Sequence, residues 1–188
     1  FAFHEGGIRE IRLEELSDRD TRELVESLLD ARDVPDALVA FLDERTGGNP
    51  FFMEEIVNSL IENHVLTRDG GGWTLTGQFD ATAMPTTIRG VIAARIDRLD
   101  AERRRLLQEA SVIGREFLFT ILSQVSGADS TLEDGLSALE SADLIRRRDV
   151  DQDLEYLFKH ALTQEVAYSG LLRSKRHELH GRVGQAME

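Results

Sequence analysis

The 188-residue chain contains no cysteine. Disulfides and thiolate metal sites are therefore excluded, which fits a reducing compartment such as the cytosol. Lysine is almost as scarce: Lys159 follows Phe158 and Lys175 follows Ser174, and there is no other. A phosphate loop of the form Gly-x-x-x-x-Gly-Lys-Ser/Thr needs lysine directly after glycine, so the sequence carries none. Without that backbone nest and its lysine, little would hold a triphosphate or its Mg²⁺. No apolar run ends in paired acids to stand in for a Mg²⁺-binding strand. The chain alone is therefore expected not to hydrolyse ATP. No apolar run approaches the length of a membrane span, and the first residues lack the basic, apolar and small succession of a signal peptide. The sequence opens at Phe1 without Met, and a helical pattern is still running at Glu188, so the chain is expected to be a piece of a longer polypeptide.

What is present points to a helix-rich protein. Hydrophobic residues make up 41% and charged residues 30%, enough for a core in one large domain or two small ones. The net charge of −13 is unevenly placed. Residues 1–62 hold 16 acidic and 6 basic side chains, a balance of −10, and the remainder contributes −3. Such a field repels phosphate backbones, so nucleic acid is not the expected partner.

Ser17-Asp18-Arg19-Asp20 reads as a capping-box variant opening a helix to about Leu29. Pro35 starts the next helix at its first position, running to about Arg45 and burying Leu38, Phe41 and Leu42. Ahead of these, Gly7–Leu13 is a short strand or extended lead-in. The most particular stretch is Thr46 to Ile56. Gly47 and Gly48 can adopt the left-handed backbone that ends a helix. Asn49 is a suitable N-cap, and Pro50 suits the first helical position because its missing N–H would have been unbonded anyway. Phe52, Met53, Ile56, Val57, Leu60 and Ile61 then form a broad apolar face. On residue types alone this is a tight helix–break–helix corner.

Val65–Thr67 and Trp73–Leu75 flank a glycine-rich turn and read as a hairpin; residues 77–85 read as a loop. Thr86 or Thr87 caps a helix with Ile88, Val91, Ile92, Ile96 and Leu99 on one side, Arg89 and Arg95 projecting from others. Asp100 caps a helix stopped by Gly114. Phe117 to Val125 is expected as a second helix, stopped by Gly127, and Ser130-Thr131-Leu132-Glu133 is a capping box for a third. Leu144–Arg146 and Glu155–Phe158 follow as strands around a charged tip, Arg147 to Asp153. Three short helices and a hairpin are the element order of a winged helix. Two more helices close the chain, about His160–Leu172 and Arg173–Met187.

Candidate chemistry beyond the corner is thin. His177-Glu178-Leu179-His180 lacks the spacing of the zinc-protease helix, with Gly181 where the second histidine should stand. No third ligand accompanies the pair, so no metal site is expected. His160 is expected to bond neighbouring backbone rather than a metal. Ser, His and Asp are all available, but no nucleophile-elbow pattern organises them. Arg103–Arg105, Arg146–Arg148 and the basic residues from Arg173 to Arg182 could touch phosphates, but read as solvated faces balanced by Glu102, Asp149, Asp151 and Asp153.

Gly48-Asn49-Pro50-Phe51-Phe52, followed by Glu54 and Glu55, resembles the Gly-x-Pro motif of signal-transducing P-loop ATPases, the STAND branch of the AAA+ class. Met84–Leu99 is similar to the helix leading into the winged helix of these proteins. Leu107–Phe117 resembles the turn that follows. Phe158–Tyr168, with Arg176 and His180, resembles the exit toward a tetratricopeptide array. The resemblance implies a mainly α chain: a lead-in over 1–13, a helical lid bundle with a small β-hairpin over 14–99, a winged-helix domain over 100–160, and closing helices over 161–188. It implies that Gly48, Asn49 and Pro50 lie near the base of a nucleotide held by an absent upstream core. ATP or ADP with Mg²⁺ would be the cofactor of the parent, and this region itself would hold none. Expected partners are that core and downstream helical repeats or an output domain such as a cyclase, kinase or DNA-binding domain, in a cytoplasmic bacterial regulator. The alternative is a winged-helix DNA-binding transcription regulator, but the third helix carries Glu133, Asp134 and Glu140 and no Lys or Arg.

Overall fold

The computed structural model describes residues 14–69, 72–75, 84–127, 131–150 and 153–188. The expected lead-in strand at Gly7–Leu13, the Gly70-Gly71 turn, residues 77–83 of the loop, Ser130 of the capping box and the Asp151-Gln152 wing tip lie outside them. The described chain is mainly α with small antiparallel sheets. It falls into two compact units that divide between Met84 and Pro85.

The first unit contains α1 (Asp18–Leu28), α2 (Asp36–Thr46), α3 (Pro50–Glu62), β1 (Leu66–Asp69) and β2 (Gly72–Leu75). The Ser17 hydroxyl oxygen accepts from the Asp20 N–H while the Asp20 carboxylate accepts from the Ser17 N–H, the reciprocal box the sequence called for. Val25 from the first helix and its C-cap Leu29, Leu38 and Leu42 from the second, and Phe52, Met53, Ile56, Val57 and Leu60 from the third are buried. Each such side chain contributes roughly 1.5–3 kcal/mol relative to exposure. Strands β1 and β2 pair antiparallel with Leu66 opposite Leu75, and the Trp73 indole N–H donates to the Leu29 carbonyl at 2.8 Å. Two local expectations shift. Pro35 is the N-cap of α2 rather than its first residue, because its ψ of 127° is extended. Val39 is buried in that helix while Phe41 is only partly so, lying under the Arg45 guanidinium.

The second unit contains α4 (Ile88–Arg98), α5 (Ala101–Ile113), β3 (Glu116–Leu118), α6 (Phe119–Ser126), α7 (Leu132–Ser141), β4 (Ile145–Val150), β5 (Asp153–Phe158), α8 (Ala161–Ser169) and α9 (Arg173–Ala186). The sheet order is β3-β5-β4, antiparallel throughout. From α5 to β5 the elements run helix–strand–helix–helix–strand–strand. The expected helix starting at Phe117 begins two residues late. Phe117 and Leu118 belong instead to β3, where Phe117 faces inward to stack on Tyr156 and meet Phe158 edge-on. The third helix also starts differently. Thr131 is its N-cap in a helical backbone conformation, and the Thr131 hydroxyl donates to Glu102 at 2.8 Å instead of capping.

The expected extent of the first domain, to residue 99, is not what the packing gives. Helix α4 belongs to the second unit, where Val91, Ile92 and Ile96 are buried, α8 packs against it, and Arg89 pairs with Glu165 at 2.6 Å. Arg95, expected to project away, is buried as well. Helices α8 and α9 close the unit, with Leu171, Leu179 and Val183 joining Val112 and Val125 in one apolar cluster.

Candidate functional site

The corner between α2 and α3 is built by residues that each answer a local need. Thr46, buried at the end of α2, donates its hydroxyl to the Leu42 carbonyl at 2.7 Å. Gly47 has φ 56° and ψ 42° and sends its N–H to Asp43 O at 2.9 Å, a left-handed helix end. Gly48 follows at φ 73°. Two successive left-handed residues reverse the chain, and glycine adopts that backbone with no Cβ penalty. Asn49 then returns to an extended conformation, and its Oδ1 accepts the Phe52 N–H at 3.1 Å. Pro50 occupies the first helical position.

The three candidate residues do not share one environment. Gly48 is buried; Asn49 and Pro50 are exposed. The face that the corner offers to a ligand is therefore the Pro50 ring and the side-chain NH₂ of Asn49. Proline brings no N–H, and the Phe52 and Met53 N–H groups are taken by Asn49 Oδ1 and Asn49 O. This is an apolar ring beside an amide edge, chemistry suited to a planar polar ring and poor for a phosphate.

The other candidates fall elsewhere, and several are engaged by neighbouring residues. His180 Nε2 lies 3.0 Å from the Tyr168 hydroxyl, and the Arg176 guanidinium sits 4.7 Å above the Tyr168 ring. His177 is exposed on α9, and His160 is the N-cap of α8 without a capping bond from its ring. The basic clusters are largely tied to carboxylates or carbonyls. Arg103 pairs with Asp100 at 3.0 Å, Arg148 pairs with both Glu116 and Glu155, and Arg176 donates to Ser169 O and Leu171 O. Sequence reasoning missed this last role, because the acceptors are backbone carbonyls that leave no mark in the sequence.

A protein-family model described as a domain of unknown function (DUF8739) matches residues 17–71, a stretch from the capping box of α1 to just beyond β1 that includes the whole corner. No curated protein matches the chain.

Proposed function

We propose that this chain is the regulatory, non-catalytic region of an ATP-dependent signalling switch, with Asn49 and Pro50 facing the base of a nucleotide held by a P-loop core outside this sequence. The observation that carries the reading is the α2–α3 corner, which buries Gly48 and presents the Pro50 ring and Asn49 amide to solvent. A base offers a flat π-face and hydrogen-bonding edges, which match a ring and an amide; the phosphates and Mg²⁺ would be held by the core. The winged helix would pass the nucleotide state onward through protein contacts to an output domain. Its α7 exposes Glu133, Asp134 and Glu140, which oppose a DNA backbone and favour a protein partner. The reading places the protein in the cytoplasm, where ATP is held.

The test is calorimetry with Mg-ATP on this chain and on the full-length protein that contains it. The chain alone should give no binding heat and the full-length protein should bind. A full-length protein without a phosphate loop upstream, or one that does not bind nucleotide, overturns the reading.

A further inference from the structure

We propose that Glu14–Leu16 is a strap that clamps the α2–α3 corner, so that the segment leading into α1 and the corner shift together. The Leu16 N–H donates to the Gly48 carbonyl at 3.0 Å. The contact is closer than a hydrogen bond alone requires. A Cβ on Gly48 would lie 2.8 Å from both Leu16 N and Leu16 O and 2.9 Å from Glu15 Cβ. Backbone thus lies on backbone, and only glycine leaves room. At its other end the strap is fixed by Ser17, the residue after Leu16, whose capping box holds the start of α1.

The two corner glycines separate the turn from the strap. Gly47 needs the left-handed backbone but has nothing within 4 Å of where a Cβ would stand. Gly48 needs the same backbone and also seats the strap. Replacing either by alanine imposes the left-handed penalty, but only Gly48→Ala drives a methyl into Leu16 and Glu15. Whatever the corner binds, a displacement of residues 14–16 reaches the start of α3 through one carbonyl and one close approach.

The test is native-state hydrogen exchange resolved by residue on the whole chain. Gly48→Ala should speed exchange of the Leu16 amide about tenfold relative to Gly47→Ala, as expected when one backbone hydrogen bond opens locally. The reverse direction uses the strap. Leu16→Pro removes the donor and should speed exchange of the Asn49 and Phe52 amides about tenfold, while Leu16→Ala, which keeps the N–H, leaves them protected. If Gly48→Ala does not fold, the two Leu16 variants decide alone. An unprotected Leu16 amide in the unaltered chain, equal effects of the two glycine variants, or corner amides indifferent to Leu16→Pro would overturn the strap.

Discussion

Arg95 donates from Nη2 to the carbonyl of Ala142 at 2.7 Å, although the residue is only 3% exposed. Ala142 is the C-cap of α7, so an arginine of one helix closes the end of another. The pattern recurs within the second unit. Arg104 bonds to the Ile96, Asp97 and Leu99 carbonyls at the end of α4. Arg176 bonds to Ser169 and Leu171 at the end of α8, and Arg182 bonds to Val125 in the last turn of α6 at 3.0 Å. Terminal carbonyls lack intrahelical partners and sit at the negative end of the helix dipole, so a fork of N–H donors suits them.

Arg95→Met should therefore destabilise the chain by about 2 kcal/mol, the scale of a hydrogen bond from a charged donor, with the aliphatic stem retained. Arg95→Lys keeps a charged donor group, without the planar fork, and should recover part of the loss. Urea unfolding of the two variants beside the parent measures this; equal midpoints for all three would show that the contact contributes nothing net.

Among the described residues, three helices end on a non-glycine residue with positive φ: Asp30 at 45°, His64 at 55° and Asp143 at 56°. Each end has the paired bonds of a Schellman motif, such as Ala31 N to Glu26 O at 3.0 Å and Leu144 N to Leu139 O at 3.1 Å. Asp30→Gly should stabilise by roughly 0.5–1 kcal/mol by relieving the left-handed strain, net of glycine's larger unfolded-state freedom. Asp143→Gly should do the opposite, by about 1–3 kcal/mol, because it removes the carboxylate that pairs with Lys159, whose side chain is only 7% exposed. Denaturant melts of the two variants should move in opposite directions.

These helix ends also mark how far the sequence could be read. The starts of α1, α3 and α5 were legible: Ser17 with Asp20, Asn49 with Pro50, and Asp100 before Ala101 are local signals, because a cap bonds within three residues of itself. Gly47, Gly114 and Gly127 announced three ends in the same way. The α1 end was also read close to its place, near Leu29, but the left-handed backbone of Asp30, His64 and Asp143 was not legible, since Asp and His adopt it only occasionally and nothing local marks where they do. The strand at Glu116–Leu118 was hidden because Phe117 and Leu118 continue an apolar helical spacing into α6, and only pairing with β5 decides between the two periods. At the corner, residue types announced the turn, but the seat of Leu16 on Gly48 joins positions 32 apart, and no local pattern encodes it.

The carboxyl of Asp100 is held below its ordinary value, chiefly by the Arg103 backbone N–H that it accepts at 2.9 Å, with burial opposing and the Arg103 charge assisting. A depressed folded pKa stabilises the fold above the ordinary value of 3.8, and the contribution is lost as pH falls through the lower folded value. Asp100→Asn keeps an N-cap acceptor but does not titrate. Its stability should fall less steeply than the parent's below that pH, while Asp20, held down by Ser17, continues to titrate in both. Urea midpoints measured on both sides of that value compare the slopes; parallel curves would mean that the Asp100 charge is immaterial to the cap.

The last prediction separates a corner that only turns the chain from one that faces a nucleotide. Asn49 and Pro50 are both exposed, yet their structural roles differ. Asn49 supplies the cap oxygen for Phe52, so Asn49→Ala should cost about 1 kcal/mol. Pro50 makes no capping bond of its own; it fixes φ at a position where alanine is also a good helix former, so Pro50→Ala should change stability by roughly 1 kcal/mol or less. A purely structural corner predicts that any effect in the full-length protein follows this order, with Asn49→Ala the more severe. A corner whose proline ring packs on a base predicts the reverse for nucleotide handling: Pro50→Ala should accelerate ADP release while the fold melts nearly unchanged. Thermal melting of this chain and ADP release from the full-length protein, measured for both variants, give the two orders side by side. If ADP release follows stability in both variants, the exposed ring at Pro50 serves only the helix start.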